Sequence, residues 1–179
     1  MTSHTRLLPR RLFHGSDVEV REIDLMLGVK RKDFGRGFYT TASQKQAEKF
    51  ARLKAIRAGL PQGIVSVFEY SHNPENIVLC FEKADMAWLD FVLFNRGFLR
   101  KHQCPQQAAD IVVGPVADDA VGIVLNQLMT GAYGEPSSQI AKETAIRLLE
   151  PQNLHDQIFF KTRRATACLR FGRSYAIKR

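Results

Sequence analysis

The sequence predicts a single α+β domain, and three observations support this fold class. The chain has 179 residues, a length typical of one compact domain. Its hydrophobic fraction of 45% and charged fraction of 25% are those of an ordinary globular protein. Segments with strand-like composition alternate with segments of helical spacing, and no repeat, linker or low-complexity tract interrupts them. We therefore expect one domain over residues 1–179, with its core at about 10–175.

Strands dominate the amino-terminal half. Residues 10–16 (RRLFHGS) are typical of a short strand that runs into a turn, and 17–35 of a loop with one short helical turn. A β-prone segment follows at 38–41. Residues 63–70 and 76–81 predict two further strands, separated by a His-Asn-Pro turn.

The best-marked helix begins after Ser43. Ser43 and Gln46 form an S-x-x-Q capping box, in which we expect each side chain to bond the other residue's backbone amide. Gly59 and Pro61 end the helix. Its inward stripe is predicted to contain Ala47, Phe50, Ala51 and Lys54.

The second half contains most of the predicted helices. An apolar helix is expected at 85–100, and a buried strand at 110–115 that a Gly-Pro pair breaks. Helices follow at about 120–131 and 137–149, the second capped by Ser137. The last elements are a strand, a short helix and a strand, at 157–161, 163–169 and 174–177.

Charge, apolar runs and cysteines narrow the class of protein. The net charge is +8, and the basic clusters at 30–36 and after Asp156 have two interpretations: attraction of phosphates on nucleic acid or on a small ligand, or solubility alone. The apolar runs are too short to span a membrane, and the basic amino terminus has no signal-peptide core. Cys80, Cys104 and Cys168 form no CxxC pair, so we expect free thiols in a cytoplasmic protein without a metal site.

Three familiar enzyme motifs are excluded. The Asp-Phe-Gly triplet at 33–35 has no kinase Gly-rich loop or His-Arg-Asp segment before it. The sequence also has no phosphate-binding P-loop and no dinucleotide GxGxxG motif. Three other segments, far apart along the chain, stand out together: 12–16 (LFHGS), 35–41 (GRGFYTT) and 156–160 (DQIFF).

A strand ending in HGS, followed by G-x-G-x-Y before a helix, resembles the poly(ADP-ribose) polymerase or diphtheria-toxin-like branch of the ADP-ribosyltransferases. From about Leu12 to Phe171 the chain is similar to a bacterial family of unknown function grouped with those transferases. The matching segments are DFGRGFYTT, WLDFVLFNRG, DIVVGPVADD and QIFFKT.

The resemblance implies a split β-sandwich with flanking helices, in which two small sheets enclose NAD. It implies a toxin-like mono-ADP-ribosyltransferase that uses NAD as substrate and modifies a protein or nucleic-acid acceptor. A small antitoxin protein is an expected partner. Such an enzyme must hold both riboses and stabilise an oxocarbenium-like transition state.

The resemblance also assigns site residues. His14 matches the residue that bonds a ribose hydroxyl, Gly15 the residue whose backbone holds the carboxamide, and Tyr39 the aromatic that stacks on nicotinamide. The expected catalytic set is His14, Tyr39 and Gln157. Further cofactor-binding residues are Ser16, Arg36, Gly37 and Thr40, and Lys32 is an alternative to Arg36 for a phosphate.

The third motif leaves alternatives open. Gln157 stands where the well-known transferases have a Glu, and a strand exposes only one of Gln157 and Asp156 to a given face. A shift by one residue would present Asp156 instead. Without a carboxylate, the alternatives are a pseudo-transferase that holds NAD or ADP-ribose, and an NAD glycohydrolase. A third is a nucleic-acid-binding protein on the same scaffold.

Overall fold

The computed structural model describes residues 8–99, 108–116, 119–149 and 155–179. This part of the chain contains seven strands, five α-helices and a 3₁₀ turn. In chain order they are β1 (Arg11–Ser16), the 3₁₀ turn (Leu25–Leu27), β2 (Phe38–Thr40), α1 (Gln44–Ala58), β3 (Gln62–Tyr70), β4 (Val78–Cys80), α2 (Met86–Asn95), β5 (Ile111–Val116), α3 (Asp119–Met129), α4 (Gln139–Leu149), β6 (His155–Phe160), α5 (Arg163–Thr166) and β7 (Leu169–Lys178).

The strands form two sheets. An antiparallel sheet has the order β1-β3-β7, and a four-stranded sheet has the order β2-β6-β5-β4, in which only β4 and β5 are parallel. Leu12 and Phe68 of the first sheet share a buried cluster with Ile158 and Phe160 of the second. Helices α2, α3 and α4 cover the other face of the second sheet. The predicted α+β class is confirmed.

Helix α1 packs unusually close to the outer face of the first sheet. Its buried side chains are all alanine, at Ala47, Ala51 and Ala55. A Cβ added to Gly15 in β1 would meet the Ala47 carbonyl oxygen, and one added to Gly63 in β3 would lie 2.9 Å from the Ala51 Cβ. Small residues on both surfaces therefore set the distance between helix and sheet. Phe50, expected in the inward stripe, is 40% exposed.

The cap of α1 differs from the predicted box. Ser43 Oγ accepts from the Gln46 amide at 3.3 Å, as expected. The Gln46 side chain does not return to Ser43, because its Oε1 accepts from Thr41 Oγ1 at 2.5 Å. Thr41 Oγ1 in turn accepts from the Ser43 amide at 3.0 Å. The Thr41 hydroxyl thus takes the place predicted for the Gln46 side chain as acceptor for the Ser43 amide. At the other end, Gly59 with φ 68° ends the helix as predicted.

Two strand predictions are corrected. Gly114 and Pro115 do not break β5 but pair with Gln157 and Asp156 of β6. Proline is tolerated there because β4 pairs with β5 only as far as Val113, so beyond it one side of β5 has no partner among the described strands. Strand β7 begins five residues earlier than predicted. It is an edge strand whose residues are exposed or half-buried, so it lacks the apolar alternation of a core strand.

Three helix ends are also corrected. Helix α2 ends at Asn95 rather than 100, and Gly97 follows with φ 88°. Ser138 rather than Ser137 caps α4, since its Oγ accepts from the Ala141 amide at 3.2 Å. Helix α5 stops at 166 instead of 169. Cys168 is a free thiol and forms no disulfide with Cys80, and Cys104 lies outside the described residues.

Candidate functional site

A cleft of about 550 Å³ opens where the two sheets approach each other. Residues of β1, β2 and α1 line it, together with the loop between β1 and β2 and with Gln157 of β6. The three segments that stood out in the sequence therefore meet at one cleft. Its volume lies within the usual range of small-molecule sites.

The cleft lies beside a backbone bridge that joins β1 to the residue after β2. Phe13 and Thr41 exchange two backbone hydrogen bonds of 2.9 Å, and this pair is an isolated bridge between the sheets. Beside it, His14 Nδ1 donates to the Tyr39 carbonyl oxygen at 2.7 Å. The two expected site residues are thus joined directly, one side chain to the other's backbone.

The bond to Tyr39 fixes the state of His14. A carbonyl only accepts, so Nδ1 carries the hydrogen and Nε2 is the acceptor of the neutral ring. Burial lowers the pKa of His14, with the nearby charges of Lys32 and Lys54 adding to the effect and the Tyr39 carbonyl opposing it. The ring is therefore neutral near pH 7. It also packs on Phe38, with ring centroids 4.6 Å apart.

Both ends of the Tyr39 side chain are fixed. Its hydroxyl donates to the Gly35 carbonyl oxygen at 2.8 Å and accepts from the Phe34 amide at 3.1 Å. The ring packs against Phe159, at 4.7 Å between centroids, and the Lys32 ammonium lies over it at 5.0 Å from the centroid. Burial raises the pKa of Tyr39 far above its usual range, so the phenol stays protonated.

The Asp-Phe-Gly triplet anchors the loop that contacts Tyr39. Asp33 pairs with Arg96 just beyond α2, with Arg96 Nη2 2.6 Å from Asp33 Oδ1, and both side chains are largely buried. Phe34 is 1% exposed within the core between the second sheet and its helices. Gly35 has φ 94°, a conformation that favours glycine. The triplet has a structural explanation here.

Gln157 and Asp156 occupy different environments. Gln157 lines the cleft, and Asp156 does not. Tyr39 pairs with Phe159, so Gln157, two residues earlier in β6, lies on the same face of the sheet as Tyr39. The Gln157 amide has no hydrogen bond to another described residue. The cleft therefore presents an amide at this position.

Of the other residues predicted to bind the cofactor, four line the cleft and Arg36 does not. Gly15, Ser16, Gly37 and Thr40 line the cleft. However, the Thr40 hydroxyl donates to the Ile158 carbonyl oxygen at 2.9 Å and is buried. The missing side chain of Gly15 makes room for α1, and that of Gly37 makes room for the Phe159 ring. For both glycines packing explains the residue without any ligand.

Arg36 does not line the cleft. Its Nη1 lies 4.0 Å from the Met26 sulfur, and its Nε is buried with no hydrogen-bond partner in the described part of the chain. The prediction that Arg36 contacts a cofactor has no support from this arrangement, whereas Lys32, the alternative, does line the cleft.

Sequence reasoning missed two cationic residues of the cleft. Lys54 of α1 and Arg96 both line the cleft. Lys54 was predicted in the inward stripe of α1, and Arg96 lies within the segment WLDFVLFNRG, but neither was predicted as a site residue. Arg96 is neutralised by Asp33. The one available signal for Lys54 was its place one helical turn after Phe50, which also lines the cleft.

Among the described residues, no group of three His, Cys, Asp or Glu side chains could hold a metal ion. None of the described helices has the length and apolar character needed to cross a membrane. Comparison with curated proteins and with solved structures finds no match. A family model matches residues 11–171, and the chain therefore belongs to the family described as Protein of unknown function (DUF3990).

Proposed function

We propose that this protein is an NAD-dependent mono-ADP-ribosyltransferase with the split β-sandwich of that clan. One observation carries the proposal: His14, Tyr39 and Gln157, from three distant segments, line a single cleft between two sheets. These are the positions that the resemblance to the transferases assigns to ribose and nicotinamide recognition. The direct bond from His14 to the Tyr39 carbonyl oxygen supports a shared role.

The residues suit the two ends of a nicotinamide riboside. The neutral His14 ring has Nε2 as acceptor for a ribose hydroxyl. The Tyr39 ring offers a face for stacking, held in place by the bonds of its hydroxyl. The Gln157 amide can accept from or donate to the ribose 2′-hydroxyl. Together they would hold the anomeric carbon in one position.

In the proposed reaction the bond between the anomeric carbon and the nicotinamide nitrogen breaks, and nicotinamide leaves with the electron pair. An acceptor oxygen or nitrogen then bonds to the anomeric carbon and releases its proton. A carboxylate at position 157 would stabilise the cationic transition state, and its replacement by an amide is expected to slow the reaction by roughly 10²–10³. Slow transfer of a single ADP-ribose is therefore expected.

The decisive experiment is incubation of the protein with labelled NAD and a bacterial lysate, with nicotinamide release measured in parallel. Label would be separated into protein-bound, nucleic-acid-bound and free ADP-ribose. We expect label on a macromolecule, lost in Tyr39→Ala and Gln157→Ala and retained in Asp156→Asn, the matched control outside the cleft. Equal labelling by all variants would refute the assignment of the site.

The neutral Gln157 specifically favours a second candidate, a protein that binds NAD or ADP-ribose without turnover. It predicts a thermal shift with NAD and no nicotinamide release. Free ADP-ribose as the sole product would instead identify a glycohydrolase. A toxin role predicts growth arrest on expression that Tyr39→Ala relieves, and an antitoxin partner would relieve the arrest in the wild type.

A further inference from the structure

Three cationic side chains of the cleft, Arg31, Lys32 and Lys54, lack a counter-ion among the described residues, and of these Lys32 and Lys54 are half-buried while Arg31 is exposed. Lys32, in the loop before the Asp-Phe-Gly triplet, and Lys54, in α1, both line the cleft, and neither forms an ion pair in the described part of the chain. The charges of both lysines lower the pKa of His14, and the charge of Lys54 also lowers the pKa of Lys32. The two ammonium groups therefore repel across a small space.

The carboxylates nearby do not neutralise this pair. Asp33 is engaged by Arg96 at 2.6 Å, and Asp24 accepts from the Met26 amide at 2.8 Å as the cap of the 3₁₀ turn. Glu22 is the remaining acidic side chain along the cleft and is exposed. Burial lowers the pKa of Lys32 and the charge of Lys54 lowers it further, while the charge of Asp33 opposes this shift without cancelling it. An anion between the two lysines would remove this repulsion.

Lys32 also covers the surface that an aromatic ligand needs. Its ammonium lies over the Tyr39 ring, 5.0 Å from the centroid, in a cation–π contact. A nicotinamide ring cannot stack on the same face while the ammonium is there. No hydrogen bond to a described residue holds the lysine over the ring, so its displacement gives up the cation–π contact and no hydrogen bond within that part of the chain.

We propose that Lys32 is an exchangeable cover of the Tyr39 ring, which moves onto a ligand diphosphate that it binds together with Lys54. The inference rests on the proposed function for the identity of the aromatic group, and it adds the residues that hold the diphosphate. Binding of the ring and of the phosphates is then coupled through one side chain. The site selects a dinucleotide over nicotinamide alone.

The test is isothermal titration of wild type, Lys32→Gln and Lys54→Gln with four probes: NAD, ADP-ribose, inorganic pyrophosphate and nicotinamide. Charge-assisted contacts predict that pyrophosphate and ADP-ribose bind roughly ten- to a hundredfold more weakly to either variant. Nicotinamide binds more tightly to Lys32→Gln, whose ring is uncovered, and unchanged to Lys54→Gln. The exposed lysines Lys30, in the same loop, and Lys45, in the same helix, provide matched Gln controls.

The outcomes separate the two proposals. Pyrophosphate affinities within twofold of wild type in both variants overturn the inference, and so does weaker nicotinamide binding to Lys32→Gln. Loss of pyrophosphate binding in both variants, with no NAD binding by the wild type, supports the anion site and refutes the proposed function. NAD turnover that is insensitive to both lysines supports the function and overturns the inference. Lys32→Met repeats the test if Lys32→Gln has a lowered melting temperature.

Discussion

Replacing Tyr39 with Phe separates the two roles of this residue. The substitution keeps the ring over which Lys32 lies and removes the hydroxyl that bonds Gly35 and Phe34, at 2.8 Å and 3.1 Å. Each bond contributes on the order of 1 kcal/mol net, and two half-buried backbone groups lose their partner. We therefore expect the free energy of unfolding to fall by about 2 kcal/mol. For a chain of this length the melting temperature falls by roughly 4–8 °C.

The assay is urea and thermal unfolding followed by circular dichroism, with amide hydrogen exchange at Phe34 as a local measure. Tyr133→Phe is the matched control, because among the described residues the Tyr133 hydroxyl bonds only the exposed Gln127 side chain. It should change stability by less than about 0.5 kcal/mol. If Tyr39→Phe is as stable as the control and the Phe34 amide exchanges no faster, the hydroxyl does not hold the loop. NAD affinity should fall less in Tyr39→Phe than in Tyr39→Ala.

Three further predictions concern stability. Gly15→Ala should destabilise by about 2 kcal/mol because its Cβ meets the backbone of α1, whereas Gly122→Ala, whose Cβ meets nothing, should stabilise by about 0.8 kcal/mol in urea unfolding. Folding lowers the pKa of His14, so the unfolded chain binds more protons than the folded chain below about pH 6.5. The free energy of unfolding should therefore fall as the pH drops through that value. His14→Asn should flatten this dependence of stability on pH. Asp33→Asn should cost about 3 kcal/mol, since it leaves Arg96 largely buried without a charge partner.

Each of these has a contrary result. Equal effects of Gly15→Ala and Gly122→Ala would mean that α1 does not approach β1 as closely as described. A profile of His14→Asn as steep as that of the exposed-residue variant His72→Asn would assign the pH dependence to another group. A melting temperature of Asp33→Asn equal to that of wild type would mean that the ion pair contributes nothing net.

The sequence was a good guide to elements whose signals are local. Strand β1, the 3₁₀ turn and α1 follow from alternation, turn residues and the Ser43 cap, all of which act within a few residues. Strand β7 was shortened in the prediction because its stability comes from pairing with β3. An edge strand that is half exposed along its length has no apolar pattern to mark it.

The site residues also divide into those marked by local sequence motifs and those whose position depends on packing or strand register. His14, Tyr39 and Gln157 were named from their motifs, and all three line the cleft. Which of Gln157 and Asp156 faces the cleft depends on the register of β6 against β2, which the sequence left open. Lys54 was missed because a lysine on a helix has no pattern of its own. Its position depends on the packing of α1 onto glycines in two strands.

The two walls of the cleft are held by different means, and this determines which part can move. The α1 wall is fixed by alanines packed against Gly15, so Lys54 sits on a rigid support. On the opposite wall the backbone is anchored immediately after Lys32 by the pair of Asp33 with Arg96. The Lys32 carbonyl oxygen also accepts from the Gly35 amide at 3.0 Å, which holds the Lys32 backbone in a turn. Access to the Tyr39 ring is therefore expected to require rotation of the Lys32 side chain rather than opening of the loop.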